Sequence, residues 1–275
     1  RDVANKKLAN ATRARANTLL NGLKNNLIYE NDQIGQLKQD VTNMIDALNN
    51  SVILYSELDG LCNDFSVVIT YAKEQGASAA LIASAEELLA DTRLGWKDAS
   101  IEDEDIPTIE DNIRNMIDAL NTSVTLYKQL AEAINTLEET INEAQNEPLV
   151  QNLLSNAVSL LNTAKEQCAN ASLDNVGTKA KVDEVNAMTE QLKNAIDVLY
   201  FYVEPLKYHV LSLEEKTVEV IGCDPNFSGD LVIPETVTYN GTTYTVTKIA
   251  ARAFLSCTMI ITIHVGENVQ YIEDS

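Results

Sequence analysis

Apolar residues over roughly the first 200 positions recur at steps of three and four, which puts them on one face of an α-helix; beyond Pro205 they alternate with polar residues, as in a half-buried strand. The helical pattern is copied along the chain. NMIDALNNSVILY at 43–55 returns as NMIDALNTSVTLY at 115–127, and a weaker copy, AMTEQLKNAIDVL, lies at 187–199. Met44, Met116 and Met188 are spaced 72 residues apart, and the same offset carries Val41 to Ile113 to Val185, Leu48 to Leu120 to Leu192, and Val52 to Val124 to Ile196. A period of this kind marks a helical motif that cannot bury its apolar stripe alone and therefore packs in tandem.

The offset extends upstream of the methionine helix. Leu81, Ala85, Leu88, Leu89 and Thr92 align with Leu153, Ala157, Leu160, Leu161 and Ala164, and Trp96 with Cys168; before them Leu58, Leu61, Phe65, Ile69 and Ala72 align with Leu130, Ala133, Leu137, Ile141 and Ala144. Each copy thus predicts three helices folded on one another. Gly76 with Ser78, and Glu147-Pro148, separate the first helix from the second, proline suiting a first helical turn. Ile106-Pro107-Thr108 is expected to precede the third helix, with Thr108 and Asp111 as a capping pair, and Gly177-Thr178 to mark the same point one copy later. Only Gly60 interrupts Tyr55 to Phe65 and nothing interrupts Tyr127 to Leu137, so the closing helix of one copy is predicted to run on as the opening helix of the next. A helix from about 109 to 146 would be about 57 Å long, and copies joined this way are expected to stack as a stiff rod. In the first copy the second helix reads from Leu8 to Leu23 and the third from about Gln36, while the opening helix would fall before Arg1.

After Pro205 the runs Lys207–Leu213 and Thr217–Gly222 flank a short Glu214-Glu215-Lys216 turn, and Asp230–Pro234 gives a further strand. Tyr239-Asn240-Gly241-Thr242 sits between β-branched flanks, the strongest short signal for a hairpin. Val246 and Ile249 then recur as Val269 and Ile272, a period of 23 residues in the range of leucine-rich solenoids. The domain organisation read from these patterns is an incomplete helical repeat at 1–57, three-helix repeats at 58–129 and 130–203, and at 204–275 β hairpins that open a truncated repeat solenoid. The fold class is α+β in separate domains.

Composition narrows the functions available. Acidic residues outnumber basic ones 41 to 20, and the net charge of −21 repels a nucleic-acid backbone and an anionic membrane surface. No apolar run reaches the ~20 residues that span a bilayer. Cys62, Cys168, Cys223 and Cys257 are far apart and form no CxxC or Cys/His cluster, so four unpaired thiols packed as small hydrophobes are expected. Because Arg1 rather than methionine opens the sequence, a start cut from a longer product is expected.

Two resemblances follow from particular residues. KVDEVNAMTEQLKNAIDVL at 181–199, with the two helices before it, resembles the FIVAR-type three-helix modules that serve as spacers in bacterial surface proteins and secreted carbohydrate-active enzymes. The segments GDLVIPETVTYNGTTYTV and YTVTKIAARAFLSCTMIITIHVGENVQYI resemble the BspA-like leucine-rich repeat proteins of bacterial cell surfaces, through Ala253-Phe254, Cys257 and the strand at Ile261–Ile263. Met259 and Ile260 stand where that family has leucine, and Val265-Gly266 where a proline is common. Cys257 falls on the family's buried ladder position. The resemblance implies an extracellular or cell-surface adhesion protein, with a helical stalk presenting a repeat head to a protein or glycan ligand. The alternative is the non-catalytic spacer and binding part of a secreted polysaccharide-active enzyme. Phe254 plus one period lies past Ser275, so further turns are expected to follow, and the strand at that edge is expected to self-associate.

No residue set marks a catalytic or metal centre, no cofactor is implied, and the ligand-binding residues are not identified. IEDEDIPTIED at 101–111 holds six acids but lacks the order of a calcium loop, and reads as a solvated approach to a helix N-terminus. The methionine series reads as core packing. His209 and His264 sit on β runs with no second ligand nearby in sequence.

Overall fold

The structure is a computed structural model that describes residues 6–26 and 29–274; the chain ends at Arg1 and Ser275 lie outside the described residues. It belongs to the α+β class. Six α-helices come first: α1 (Asn10–Asn25), α2 (Asn31–Gln75), α3 (Ala79–Asp98), α4 (Ile106–Ala144), α5 (Gln151–Ala169, after a 3-10 turn at Pro148–Val150) and α6 (Asn175–Asp197). Eight strands follow: β1 (Tyr200–Val203), β2 (Leu206–Ser212), β3 (Thr217–Cys223), β4 (Ser228–Ile233), β5 (Thr236–Tyr239), β6 (Thr242–Ile249), β7 (Met259–Val265) and β8 (Tyr271–Ile272). The residues up to Glu132 together with Lys165–Val182 make one compact unit; Ala133–Ala164 and the residues from Asp183 onward make a second.

In the first unit the apolar stripes are buried where the 3.6-residue period puts them. Leu58, Leu61, Phe65, Ile69 and Ala72 form one side of the core, and Ala85, Leu89, Ile113, Leu120 and Val124 pack into the same cluster, with Met116 half-buried at its rim. The equivalent stripe in the first copy, Val41, Leu48 and Val52, is only half-buried, because α1 alone covers that stretch of α2 among the described residues. Helix α2 opens with a capping box between Glu30 and Gln33 and runs through Gly60 without a break, about 67 Å by its 45 residues. It stops at Gly76, whose φ of 80° lies where a Cβ is unfavourable.

Two helix starts differ from expectation. α4 begins at Ile106, so Pro107 fills its first turn and Thr108 lies inside the helix instead of capping it. α6 begins at Asn175, and the cap is Asp174, whose Oδ1 accepts from the Gly177 N–H at 2.7 Å.

The 72-residue repeat extends to the hydrogen bonds at the joints between helices. Ala99 and Ala171 both end their helices in the left-handed region, at φ 55° and 48°, and their carbonyls accept from the first N–H of another helix, Asn10 and Ala79 respectively. Tyr55 donates its hydroxyl to the Ile101 carbonyl at 2.7 Å, and Tyr127 donates to that of Leu173 at 2.9 Å. Ser51 and Ser123 each accept a buried backbone N–H at a helix start, from Ala9 at 3.1 Å and Ser78 at 2.9 Å. The third copy carries Ala195 and Leu199 at these two positions, so it lacks both polar groups that build a joint. The acidic stretch after α3 is correspondingly less solvated than its composition implied: Asp103 is half-buried and accepts from Thr12 on α1 and Ser51 on α2, both at 2.5 Å.

The second unit holds the sheet. The alternation expected after Pro205 begins earlier, at Tyr200, where β1 pairs with β2. Four consecutive large apolar residues hid this strand, since nothing in Tyr200–Val203 alternates in polarity. The main sheet runs β1-β2-β3-β6-β5, with β8 added to β6, and it curls until the ring of Phe201 on β1 stacks on Tyr239 of β5 at 4.5 Å. Tyr208 and Tyr244 complete that aromatic cluster at 5.2 and 5.5 Å from Phe201. The Asn240-Gly241 hairpin forms as its sequence requires, with positive φ at both residues, 47° and 78°. β3, β6 and β8 are parallel, while β4 pairs in parallel with β7 in a separate two-stranded sheet. The β6–β8 register joins Lys248 to Tyr271 and Ile249 to Ile272, the 23-residue offset read from the sequence. Among the described residues the strands do not go on to form a stacked leucine-rich solenoid.

Cysteine usage also departs from expectation. Cys223, the last residue of β3, and Cys257, just before β7, are buried, lie 34 residues apart in sequence with Cα atoms 6.4 Å apart, and form a disulfide; Cys62 and Cys168 are free. Four unpaired thiols are therefore not what the chain holds. Spacing alone did not reveal the pair because the folding of β3, β4 and β6 brings its two members together.

Candidate functional site

The most polar constellation in the second unit is a row of side chains crossing the sheet. Strand register places Tyr200 on β1 opposite His209 on β2, His209 opposite Glu219 on β3, and Glu219 opposite Lys248 on β6. Alternation puts such neighbours on one face, within reach of each other. His209 Nδ1 lies 2.9 Å from Glu219 Oε1, and Lys248 Nζ lies 3.0 Å from Glu219 Oε2 and 2.5 Å from Glu273 Oε1. The other ring nitrogen, Nε2, lies 3.0 Å from Oε2 of Glu147, which immediately precedes the 3-10 turn leading into α5. Tyr200 stacks on the imidazole with ring centroids 4.7 Å apart and donates its hydroxyl to the same Glu147 carboxylate.

Burial makes this row consequential. The side chains of His209, Glu147 and Glu219 are 15%, 9% and 11% exposed, so their charges are poorly hydrated and depend on one another. A carboxylate only accepts hydrogen bonds, so an imidazole with a carboxylate oxygen against each nitrogen is satisfied only when both nitrogens carry protons. Hydrogen bonding to Glu219 accordingly pushes the His209 pKa up, and Glu147 adds to that, against the opposing effect of burial. Glu219 is pushed down, first by His209 and then by Lys248. Burial and the bond to Glu147 raise Tyr200 to about 12, so it stays a neutral donor.

With both ring nitrogens committed to carboxylates, the imidazole has none left to activate a nucleophile or bind a metal. The row can lock strand register and fix the Glu147 turn against the sheet, a structural use of buried charge. Among the described residues no group of three or more His, Cys, Asp and Glu side chains is placed to hold a metal ion, and no helix is long and apolar enough to cross a membrane. Of the histidines singled out in the sequence, the structure brings His209 into this row and leaves His264 exposed on β7, opposite Val232. The methionines sit half-buried at helix positions and are not gathered together.

Sequence reasoning missed Glu147, Glu219, Lys248 and Glu273. One of them left a signal, Glu219 between Val218 and Val220, an acid inside a run otherwise suited to a strand buried on both faces. No protein-family model, curated protein or solved structure matches the chain.

Proposed function

We propose that the chain is part of a bacterial cell-surface or secreted binding protein, in which tandem three-helix repeats act as a spacer and the β region opens a leucine-rich repeat head that meets an extracellular protein or glycan. The observation that carries this reading is the parallel β6–β8 ladder in a 23-residue register, because a ladder of that step is the growth direction of a repeat solenoid. The disulfide between Cys223 and Cys257 favours an oxidising compartment over a reducing cytosol. The net charge of −21 suits a soluble, self-repelling surface and disfavours nucleic acid. The third copy's replacement of the joint serine and tyrosine by Ala195 and Leu199 is consistent with helical repeats giving way to a different module there.

Two measurements on protein recovered from its native source test the proposal. Thiol counting under denaturing, non-reducing conditions is expected to find two free thiols of the four cysteines. Surface capture against a panel of extracellular-matrix proteins and glycans is expected to give saturable binding. Four free thiols, with no binding across the panel, would remove the basis for an extracellular adhesive role.

A further inference from the structure

We propose that His209, gripped between Glu147 and Glu219, is a pH-sensitive clasp that fastens the turn before α5 to the β-sheet and releases it when the imidazolium gives up a proton. The inference does not rest on the adhesive reading. It starts from geometry, two carboxylate oxygens at 3.0 and 2.9 Å on the two nitrogens of one largely buried ring. Deprotonation leaves a nitrogen lone pair facing a carboxylate in a site with little water, which turns an attraction into a repulsion.

The groups that face the ring from each surrounding element set the direction of the response. β1 contributes Tyr200, a neutral donor engaged with Glu147, and β3 contributes Glu219. The turn before α5 contributes Glu147. β6 and the residue after β8 contribute Lys248 and Glu273, which act through Glu219, while Lys207 on the ring's own strand is exposed. Counting formal charges, His209 and Lys248 offset two of the three acids in the closed state. Losing the imidazolium leaves Glu147 and Glu219 on either side of a neutral ring, with only Lys248 to offset them. Lys248 does not reach Glu147, so that link is the one expected to open.

The linkage follows from the direction of each shift. The His209 pKa is raised by folding, so its contribution is complete below the unfolded value of about 6.5 and is lost as pH rises through the folded value. Glu219 is lowered, so its contribution is complete above about 4.5 and is lost as pH falls through its folded value. The clasp is therefore firmest between those limits and opens on the alkaline side through His209. Each unit by which folding raises the His209 pKa corresponds to about tenfold in the ratio of closed to open forms.

The chain has two histidines, which makes the test direct. Proton NMR of the full chain, with a His264→Gln variant to assign the two Cε1–H signals, should give a His209 midpoint above 6.5. Hydrogen exchange, corrected for the intrinsic pH dependence, should show protection across residues 145–151 falling through that same midpoint. A His209→Gln variant retains one amide donor and should lose the pH step. A His209 midpoint at or below 6.5 would overturn the proposal without depending on any substitution at the site. So would protection at 145–151 that does not change with pH, or a step that survives in His209→Gln.

Discussion

The joints of the first unit allow a comparison between two sites that are equivalent in the repeat but differ by one hydrogen bond. Tyr55 makes a single bond, donating to the Ile101 carbonyl at 2.7 Å. Tyr127 makes two, donating to the Leu173 carbonyl and accepting from the Leu173 N–H, each at 2.9 Å. Replacing either tyrosine by phenylalanine keeps the buried ring and removes only the hydroxyl. A net hydrogen bond is worth about 1 kcal/mol, and the half-buried loops leave water some access to the abandoned groups, so Tyr55→Phe should cost about 1 kcal/mol and Tyr127→Phe about 2. With a urea m-value of about 2 kcal/mol/M, the midpoint should fall by about 0.5 M and about 1 M respectively. The only tryptophan is the natural probe, because Trp96 belongs to the same unit and its indole N–H donates to the Tyr55 backbone carbonyl at 2.9 Å, a bond the substitution leaves in place. Urea titrations followed by Trp96 fluorescence should rank the variants in that order. Equal losses, or a larger loss for Tyr55→Phe, would refute the claim that these hydroxyls hold the joints.

Three further outcomes are expected in the second unit. Replacing Cys223 and Cys257 together by serine opens a loop of 34 residues, for which chain entropy gives about 4 kcal/mol of lost stability; denaturant titration followed by tyrosine near-ultraviolet dichroism should detect it, and a loss under about 1 kcal/mol would contradict the estimate. Gly266→Ala puts a Cβ 2.8 Å from the Glu235 nitrogen and 2.9 Å from the Pro234 carbonyl carbon. Both neighbours are backbone, so about 1–3 kcal/mol should be lost, while an unchanged melting temperature would show that the close approach is not required. Phe201→Ala empties the centre of an aromatic cluster that joins β1 to β5 and should cost about 3–5 kcal/mol by the same titration, with a cost near 1 kcal/mol counting against that closure.

Residue by residue, the helices were the most legible part. Leu58, Phe65 and Ile69 announce their buried face by spacing alone, because a helix's neighbours are set three and four positions away along the chain. The hairpin at Asn240-Gly241 was equally local, since positive φ at two successive residues selects those side chains wherever the turn lies. Helix starts were less legible: Thr108 has the composition of a cap, yet Pro107 and the buried Ile106 draw the first turn two residues earlier. Strand β1 gave no alternating signal, being four large residues that a curled sheet buries or stacks according to what lies opposite.

Local order, then, was determined by the sequence alone: a helical motif copied at 72 residues, a change to strands, a 23-residue step between Ile249 and Ile272, and an acidic surface. Tertiary structure decided which distant groups meet. Cys223 finds Cys257, and His209 sits between Glu219 and Glu147, 10 and 62 positions away. These pairings depend on strand register and on where a turn lands against a sheet, and a shift of a single residue would send every side chain of the strand to the other face. Periodicity reports which face of an element is buried, and only packing reports what that face is buried against.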